Sequence, residues 1–158
     1  MDRRQRKTRD AIFRAFTEIL SEKNIGKITV GEIIARADVG RATFYAHFPS
    51  KDLLVKELCE ELFCHIFDAT DPRRTHHQHI FHCEAPDSVF LHLLRHLKQN
   101  DHHILDLLTG RNNELFSGYF KRGLVSLMES QLPLLRPWKA PEVPDSFWIN
   151  HLANTFAE

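Results

Sequence analysis

The chain has 158 residues, of which 42% are hydrophobic, and this is enough to bury an ordinary core in one or two small domains. No apolar run approaches the roughly 18 to 20 residues of a membrane-spanning helix, and no apolar stretch follows the charged start, so we expect a cytoplasmic protein with no membrane partner. Three cysteines, irregularly spaced, are too few for a disulfide framework.

The charge is zero overall but is distributed unevenly along the chain. Residues 1–56 hold 12 Lys or Arg against 7 Asp or Glu, a net +5, whereas residues 57–158 hold 9 against 14, a net −5. A basic front part joined to an acidic back part is typical of a protein that docks one end on a polyanion. Nucleic acid is therefore a candidate partner.

Four helices are predicted in the basic part, and local signals mark several of their ends. Thr29, with Glu32 three residues later, forms a capping box in front of an apolar run. Pro49 ends a short helix, and Ser50 caps the next one. Together with helical spacing of the apolar residues, these signals predict helices over about 3–22, 30–37, 41–47 and 50–69.

Helical spacing continues in the acidic part. Pro86 is predicted at the first position of a helix that Asn100 and Asp101 end. The residues expected to be buried on this helix are Val89, Phe90, Leu93, Leu94 and Leu97. Two more helices are predicted over about 102–108 and 113–131.

Four prolines follow, at positions 133, 137, 141 and 144, and predict a non-helical connector. Asp145 then caps a last helix. The apolar stripe expected on that helix consists of Trp148, Ile149, Leu152 and Phe156. Because no segment alternates like a strand, the chain is predicted to be all-α.

The stretch TVGEIIARADVGRATFYAHFPSKDLL, residues 29–54, resembles the signature of the tetracycline-repressor (TetR) family of transcriptional regulators. The resemblance implies an N-terminal three-helix helix-turn-helix DNA-binding domain followed by a helical effector-binding and dimerisation domain. The expected divisions are the helix-turn-helix domain at 1–49, a connecting helix at 50–69, a histidine-rich loop at 70–85 and the helical effector domain at 86–158.

The resemblance also implies a homodimer that binds a palindromic operator in double-stranded DNA and acts as a repressor, released by an unknown small-molecule effector. It implies neither an enzyme nor a cofactor. In the family, the dimer interface is a bundle of the last two helices of each subunit, and the sequence predicts one candidate for it before residue 158. We therefore expect a dimer on an incomplete interface.

The third predicted helix carries the candidates for reading bases. Arg41 can bond guanine O6 and N7 bidentately, Thr43 can meet a thymine methyl group, and the small Ala42 allows close approach. Arginines before Asp10 are further candidates for DNA contact. By resemblance, the residues that hold phosphate oxygens are Thr29, Tyr45, His47 and Lys51. Each of these has a structural alternative as a helix cap, a packing residue or a solvated charge.

Six aromatic residues are candidates for an effector pocket, and core packing explains them equally well. They are Phe63, Phe67, Phe90, Phe116, Phe120 and Trp148. Cys59 and Cys64 lie on an otherwise apolar helix, where we expect buried and unreactive thiols.

Eleven histidines are a high count, and the densest group suggests a metal-responsive regulator as an alternative. Its candidate ligands are His76, His77, His79, His82 and Cys83. Cys64 with His65, or His92 with His96 one helical turn apart, would complete such a site. Because the spacing matches no closed zinc motif, we predict no metal site.

Two rival functions are a helix-turn-helix coactivator that contacts another protein, and a metal-dependent hydrolase built on the histidines. The coactivator would expose a large apolar patch in the back part. The hydrolase needs carboxylate or water-positioning partners that the sequence does not clearly supply.

Overall fold

The computed structural model describes residues 3–68, 81, 88–109, 114–135 and 143–157. Every secondary-structure element in these ranges is helical, which confirms the all-α prediction. The α-helices are α1 (Arg3–Glu22), α2 (Val30–Ala37), α3 (Arg41–His47), α4 (Lys51–Asp68), α5 (Val89–Gln99), α6 (Ile104–Thr109), α7 (Glu114–Leu135) and α8 (Asp145–Ala157). Short 3₁₀ turns lie at Ile25–Lys27 and Asp101–His103. None of the described helices is long and apolar enough to cross a membrane.

Helices α1, α2 and α3 pack around a small aromatic core. Phe13 of α1 and Phe48 after α3 meet edge to face with ring centroids 5.2 Å apart, and Phe44 lies 6.0 Å from Phe48. All three rings are buried, and Phe16 and Ile33 join them. This core fixes the orientation of α3 against α1, as the spacing of Phe44 and Phe48 predicts.

The predicted capping box opens α2. The Glu32 backbone N–H donates to Thr29 Oγ1 at 3.3 Å, and the Thr29 N–H donates to the Glu32 carboxylate at 2.9 Å. At the other end Asp38 adopts the left-handed conformation with φ 52°, so the chain turns sharply within residues 38–40. The turn sets α2 and α3 at the angle of a helix-turn-helix.

Helix α4 leads from this domain into the rest of the chain. It packs against α7, and α7 packs against α8. The buried residues of the front and back parts form one continuous core, which includes Leu54 and Leu58 on α4 and Phe120 and Leu124 on α7. A change in the position of α4 therefore affects both parts.

Two predicted helix ends are wrong. Helix α5 begins at Val89 and not at Pro86, because the Ser88 hydroxyl accepts a hydrogen bond from the Leu91 N–H at 3.4 Å and caps the helix. Helix α7 continues through Pro133 to Leu135, where the sequence predicts a connector. The proline removes one backbone hydrogen-bond donor from the last turns of the helix, and the helix ends two residues after it.

Two predicted apolar faces are also wrong in part. On α5, Leu94 is 46% exposed, while His92 and His96 are fully buried beside Val89 and Leu93. On α8, Leu152 and Phe156 are exposed, and the buried positions are Ile149 and Ala153. In both helices, the positions that face the core are therefore not the same as the positions of the large apolar residues.

Candidate nucleic-acid interface

Helix α3 turns most of its side chains away from the core. Phe44 is fully buried, whereas Arg41, Ala42 and Thr43 are exposed, and 42% of the surface of Tyr45 is exposed to solvent. His47 is half-buried at the end of the helix. The residues predicted to read bases and two of those predicted to hold phosphates are thus brought together on one short helix.

The exposed side chains of α3 keep their hydrogen-bonding capacity. Within the part of the chain that the structure describes, Arg41 makes no ion pair, and its guanidinium is available to an external acceptor. Gly40 precedes the helix in extended conformation, φ −72° and ψ 150°, with no side-chain cap. The absence of a side chain there leaves the start of α3 open to close approach by another molecule.

Thr29 and Lys51 also have structural roles. The Thr29 hydroxyl is exposed and donates to the Glu32 carboxylate at 2.8 Å. Lys51 is half-buried, and its Nζ donates to the carbonyl oxygens of Ile25 and Ile28 at 2.9 and 3.0 Å. An ammonium has three N–H donors, so one remains for a phosphate. Their contact with DNA stays a prediction.

The first turns of α1 divide into two groups of cations. Arg3, Arg4, Arg6 and Lys7 are exposed. Arg9 is instead held inside the protein: its Nη2 lies 3.1 Å from Glu57 and 2.8 Å from Glu61, and its guanidinium stacks over Phe13 at 4.7 Å. Arg9 therefore joins α1 to α4. Among the cations of α1, only those before Arg9 remain candidates for DNA contact.

Carboxylates near α2 are neutralised by neighbouring cations. Hydrogen bonds from Lys23 first, and then from Thr29, lower the pKa of Glu32 to about 2. Arg36 donates to both oxygens of Glu22, at 2.8 and 3.0 Å, and lowers the pKa of that carboxyl as well. These pairs join α1 to α2 and reduce the negative charge at this end of the domain.

Comparison with known proteins identifies the arrangement. A family model described as bacterial regulatory proteins, tetR family, matches residues 11–58, which cover most of α1, all of α2 and α3, and the start of α4. A solved structure of a TetR transcriptional regulator from Streptococcus agalactiae 2603V is 34% identical, with a TM-score of 0.67. The match covers 99% of this chain and 81% of that one. The chain belongs to the TetR family.

Two curated relatives from Bacillus subtilis (strain 168) agree with this assignment. The uncharacterized HTH-type transcriptional regulator YxbF is 35% identical over 77 residues, which are 46% of this chain and 20% of the relative. The uncharacterized HTH-type transcriptional regulator YvdT is 34% identical over 59 residues, 37% of this chain and 30% of the relative. The matches thus span a fifth to a third of these regulators. Helices α2 and α3 are the helix-turn-helix of a TetR-family transcriptional regulator.

The aromatic residues predicted for an effector pocket in this TetR-family protein are mostly in the core. Phe116 and Phe120 are fully buried, and Phe63 contacts Phe120 with ring centroids 5.3 Å apart. Phe67, Phe90 and Trp148 are half-buried. Of the six, Phe63 alone lines a described cavity of about 310 Å³ between α4 and α7. The role of the six in effector binding stays a prediction.

The two cysteines of α4 differ in environment. Cys59 is buried, and burial raises the pKa of its thiol, as expected for an unreactive cysteine. Cys64 is exposed, so its predicted burial is wrong. It lies on the opposite side of α4 from the core residues Leu62 and Ile66.

The densest histidine group of the sequence is not the group that meets in the structure, where residues named only as possible completions of a metal site, His65, His92 and His96, come together. His76, His77, His79, His82 and Cys83 lie outside the described residues. Within the described part, His65 on α4 meets His92 and His96 on α5 in the core. The signal was present in the sequence, because positions 92 and 96 share a helical face with Val89 and Leu93.

Proposed function

We propose that this TetR-family protein binds a palindromic operator in double-stranded DNA as a homodimer, represses transcription there, and is released by a small-molecule effector. The observation that carries the proposal is the exposure of Arg41, Ala42, Thr43 and Tyr45 on α3, a helix that is held to the core by the buried Phe44. A helix of this kind fits the major groove, and its dimer mate reaches the next half-site one turn away.

The side chains on α3 supply two kinds of contact. Arg41 and Thr43 read base edges, because a guanidinium matches guanine O6 and N7 and a threonine methyl matches thymine. Tyr45 and His47 donate to phosphate oxygens and set the register, and Thr29 at the start of α2 joins them when its hydroxyl turns its proton from Glu32 to the DNA. The exposed cations of α1 add attraction to the backbone without sequence preference.

Exposed apolar side chains on α8 support the dimer. Phe147 is 58% exposed, and Leu152 and Phe156 are also exposed on the same helix. Apolar groups in this number on one surface helix are typical of a surface that another chain covers. Leu152 and Phe156 are four residues apart and lie on one side of α8, and we assign this side to the dimer interface.

The cavity between α4 and α7 supports an effector site. Its volume of about 310 Å³ suits a small organic molecule, and its wall combines Phe63 and Tyr119 with the charged Lys56, Glu60 and Arg122. A ligand bound there separates or tilts α4, whose first residue directly follows the helix-turn-helix. Release from DNA requires that the ligand bind the two positions of α4 with different affinity.

Selection of bound sequences from a random duplex pool tests the proposal. We expect a two-fold symmetric consensus with half-sites about 10 base pairs apart. A consensus without symmetry would overturn the dimer, and no enrichment at any salt concentration would overturn DNA reading altogether.

Substitution of Arg41 tests the assignment of base reading. Arg41→Ala should reduce discrimination at one base pair of each half-site by about 1 to 3 kcal/mol while leaving non-specific binding nearly unchanged. The matched control is Arg95→Ala, an exposed arginine on α5, which should change neither quantity. Fluorescence anisotropy with operator and scrambled duplexes measures both the base discrimination and the non-specific binding. Equal loss of affinity for the two duplexes would contradict the role of Arg41.

A further inference from the structure

A three-histidine cluster lies in the core where α4 meets α5. The ligand-capable nitrogens of His65, His92 and His96 all lie within 4.8 Å of one another, and the three ring centroids are 4.9 to 5.0 Å apart. Phe81 is buried against two of the rings, 6.1 Å from His65 and 5.5 Å from His96. No carboxylate belongs to the cluster among the described residues.

The cluster has the geometry of a partly assembled metal site. His92 and His96 are four residues apart on α5, so their rings project from one face, and their Nε2 atoms are 3.2 Å apart. Zinc binds imidazole at about 2.0 to 2.1 Å, which places two tetrahedral ligands about 3.3 Å from each other. The pair on α5 already has this spacing. A rotation of the His65 side chain that moves its ring nitrogen by about 1.5 Å brings that nitrogen to the same distance from the other two.

The three imidazoles are also buried together in the core. Burying three imidazoles together in an apolar core costs stability that leucines at the same positions would not. A metal ion replaces the proton shared between the rings and offsets this cost.

We propose that His65, His92 and His96 bind a divalent late transition-metal ion, with Zn²⁺ as the test case. Three imidazoles leave one position of a tetrahedral ion for water or an anion. The ion joins α4 to α5, and α4 directly follows the helix-turn-helix. Metal binding therefore fixes α4 and changes the affinity for DNA, a regulatory consequence that rests on the proposed function.

The site is tested on the full chain in the absence of DNA. Zn²⁺ is titrated in competition with a chromophoric chelator, and Co²⁺ reports tetrahedral nitrogen ligation by its visible absorption. The double variant His92→Leu/His96→Leu should lose one metal equivalent per chain or bind it at least about 100-fold more weakly. The control His151→Gln, an exposed histidine on α8, should bind as the wild type does.

Two further variants keep the test decisive. His65→Gln is a smaller perturbation of the core and should weaken binding by a similar factor, with an unchanged circular dichroism spectrum. The variant His76→Ser/His77→Ser/His79→Ser/His82→Ser should keep the tetrahedral Co²⁺ spectrum. Loss of the metal in that variant and its retention in the His92/His96 double variant would overturn the proposal, as would a wild type that binds no Zn²⁺ at micromolar concentration.

The regulatory consequence is measured separately by DNA affinity with and without Zn²⁺. We expect a change of about 5- to 150-fold that the His92→Leu/His96→Leu variant lacks. An unchanged affinity in the metal-loaded wild type would overturn the regulation alone. Failure to bind DNA in every state would count against the proposed function and not against the metal site.

Discussion

Lys51 shows how one side chain serves the fold and the proposed interface together. Its ammonium group bridges the carbonyl oxygens of Ile25 and Ile28 and so holds the segment before α2 against the start of α4. These carbonyls lie at a 3₁₀ turn whose own hydrogen bonds do not satisfy all of its acceptors. The protein's own hydrogen bonds thus position the lysine that is proposed to contact phosphate.

The variant Lys51→Ala separates these roles. Loss of the two hydrogen bonds should lower the free energy of unfolding by about 1 to 3 kcal/mol. If Lys51 also holds a phosphate, the slope of log affinity against log salt should fall by about one. Urea denaturation and anisotropy over a salt series measure the two, with Lys98→Ala on α5 as the control. An unchanged salt slope with lower stability would leave Lys51 with the structural role alone.

Glu32 makes the stability of the helix-turn-helix depend on pH. Its carboxyl has a pKa of about 2 in the folded protein against an ordinary value of 4.5, so the charged form is favoured by folding. The stabilisation is complete above the ordinary pKa and is lost as the pH falls toward 2. The hydrogen bond from Lys23 makes the largest contribution to this lowering of the Glu32 pKa.

Comparison of the wild type with Glu32→Gln checks this dependence. The wild type should be the more stable at pH 6 to 7, and the difference should shrink steadily between about pH 5 and pH 2. Chemical denaturation at a series of pH values gives the curve. Lys23→Met should reduce the same pH-dependent difference. A difference that is as large near pH 2 as at pH 7 would contradict the assignment to the Glu32 charge.

At the scale of helices, the sequence predicts the front part closely and the back part less well. The bounds of α1 to α4 follow from local signals: the Thr29 capping box, the turn at residues 38–40 and the Ser50 cap. Such signals act within a few residues, so no knowledge of distant contacts is needed. The positions of Arg41, Thr43 and Tyr45 on one short helix follow from the same signals.

The back part depends on packing that the sequence does not reveal. The continuation of α7 past Pro133 to Leu135 has no local signal in the sequence. The burial of His92 and His96 depends on a partner, His65, 27 residues earlier than the first of them. The position of Arg9 between two glutamates of α4 is likewise a contact distant in sequence. The spacing of apolar residues along the sequence cannot by itself predict such long-range contacts.

Two glycines of α7 offer a matched test of helix packing. A Cβ atom added at Gly123 would lie 2.2 Å from the Phe63 ring, whereas one added at Gly118 would meet nothing within 4 Å. Gly118→Ala should therefore raise the free energy of unfolding by about 1 kcal/mol through helix propensity. Gly123→Ala should lower it by about 1 to 3 kcal/mol, because Phe63 and α7 must move apart. Thermal or urea denaturation measures both.

A second substitution identifies the cause of the Gly123 effect. In Phe63→Leu, the smaller side chain leaves room for the new methyl group, so Gly123→Ala should cost less in that background than in the wild type. Equal costs in the two backgrounds would contradict the contact between Phe63 and Gly123 as the cause.

At the scale of the whole molecule, the proposed dimer depends on α8. Leu152→Asp/Phe156→Asp should shift the protein from dimer to monomer at micromolar concentration, because charges replace apolar groups at the interface. Sedimentation velocity measures the shift. Leu94→Asp replaces an equally exposed leucine on α5 and should leave the dimer intact. A monomeric wild type, or a variant that still forms dimers, would contradict the assigned interface.

The shortness of α3 and the way it is anchored have an evolutionary consequence. Only Phe44 within the helix and Phe48 just after it are buried, so the remaining positions contribute little to folding. Substitutions at such surface positions usually change stability by no more than about 0.5 kcal/mol. After gene duplication, drift at Arg41 and Thr43, the residues proposed to read bases, would therefore give descendants new target sequences on an unaltered scaffold.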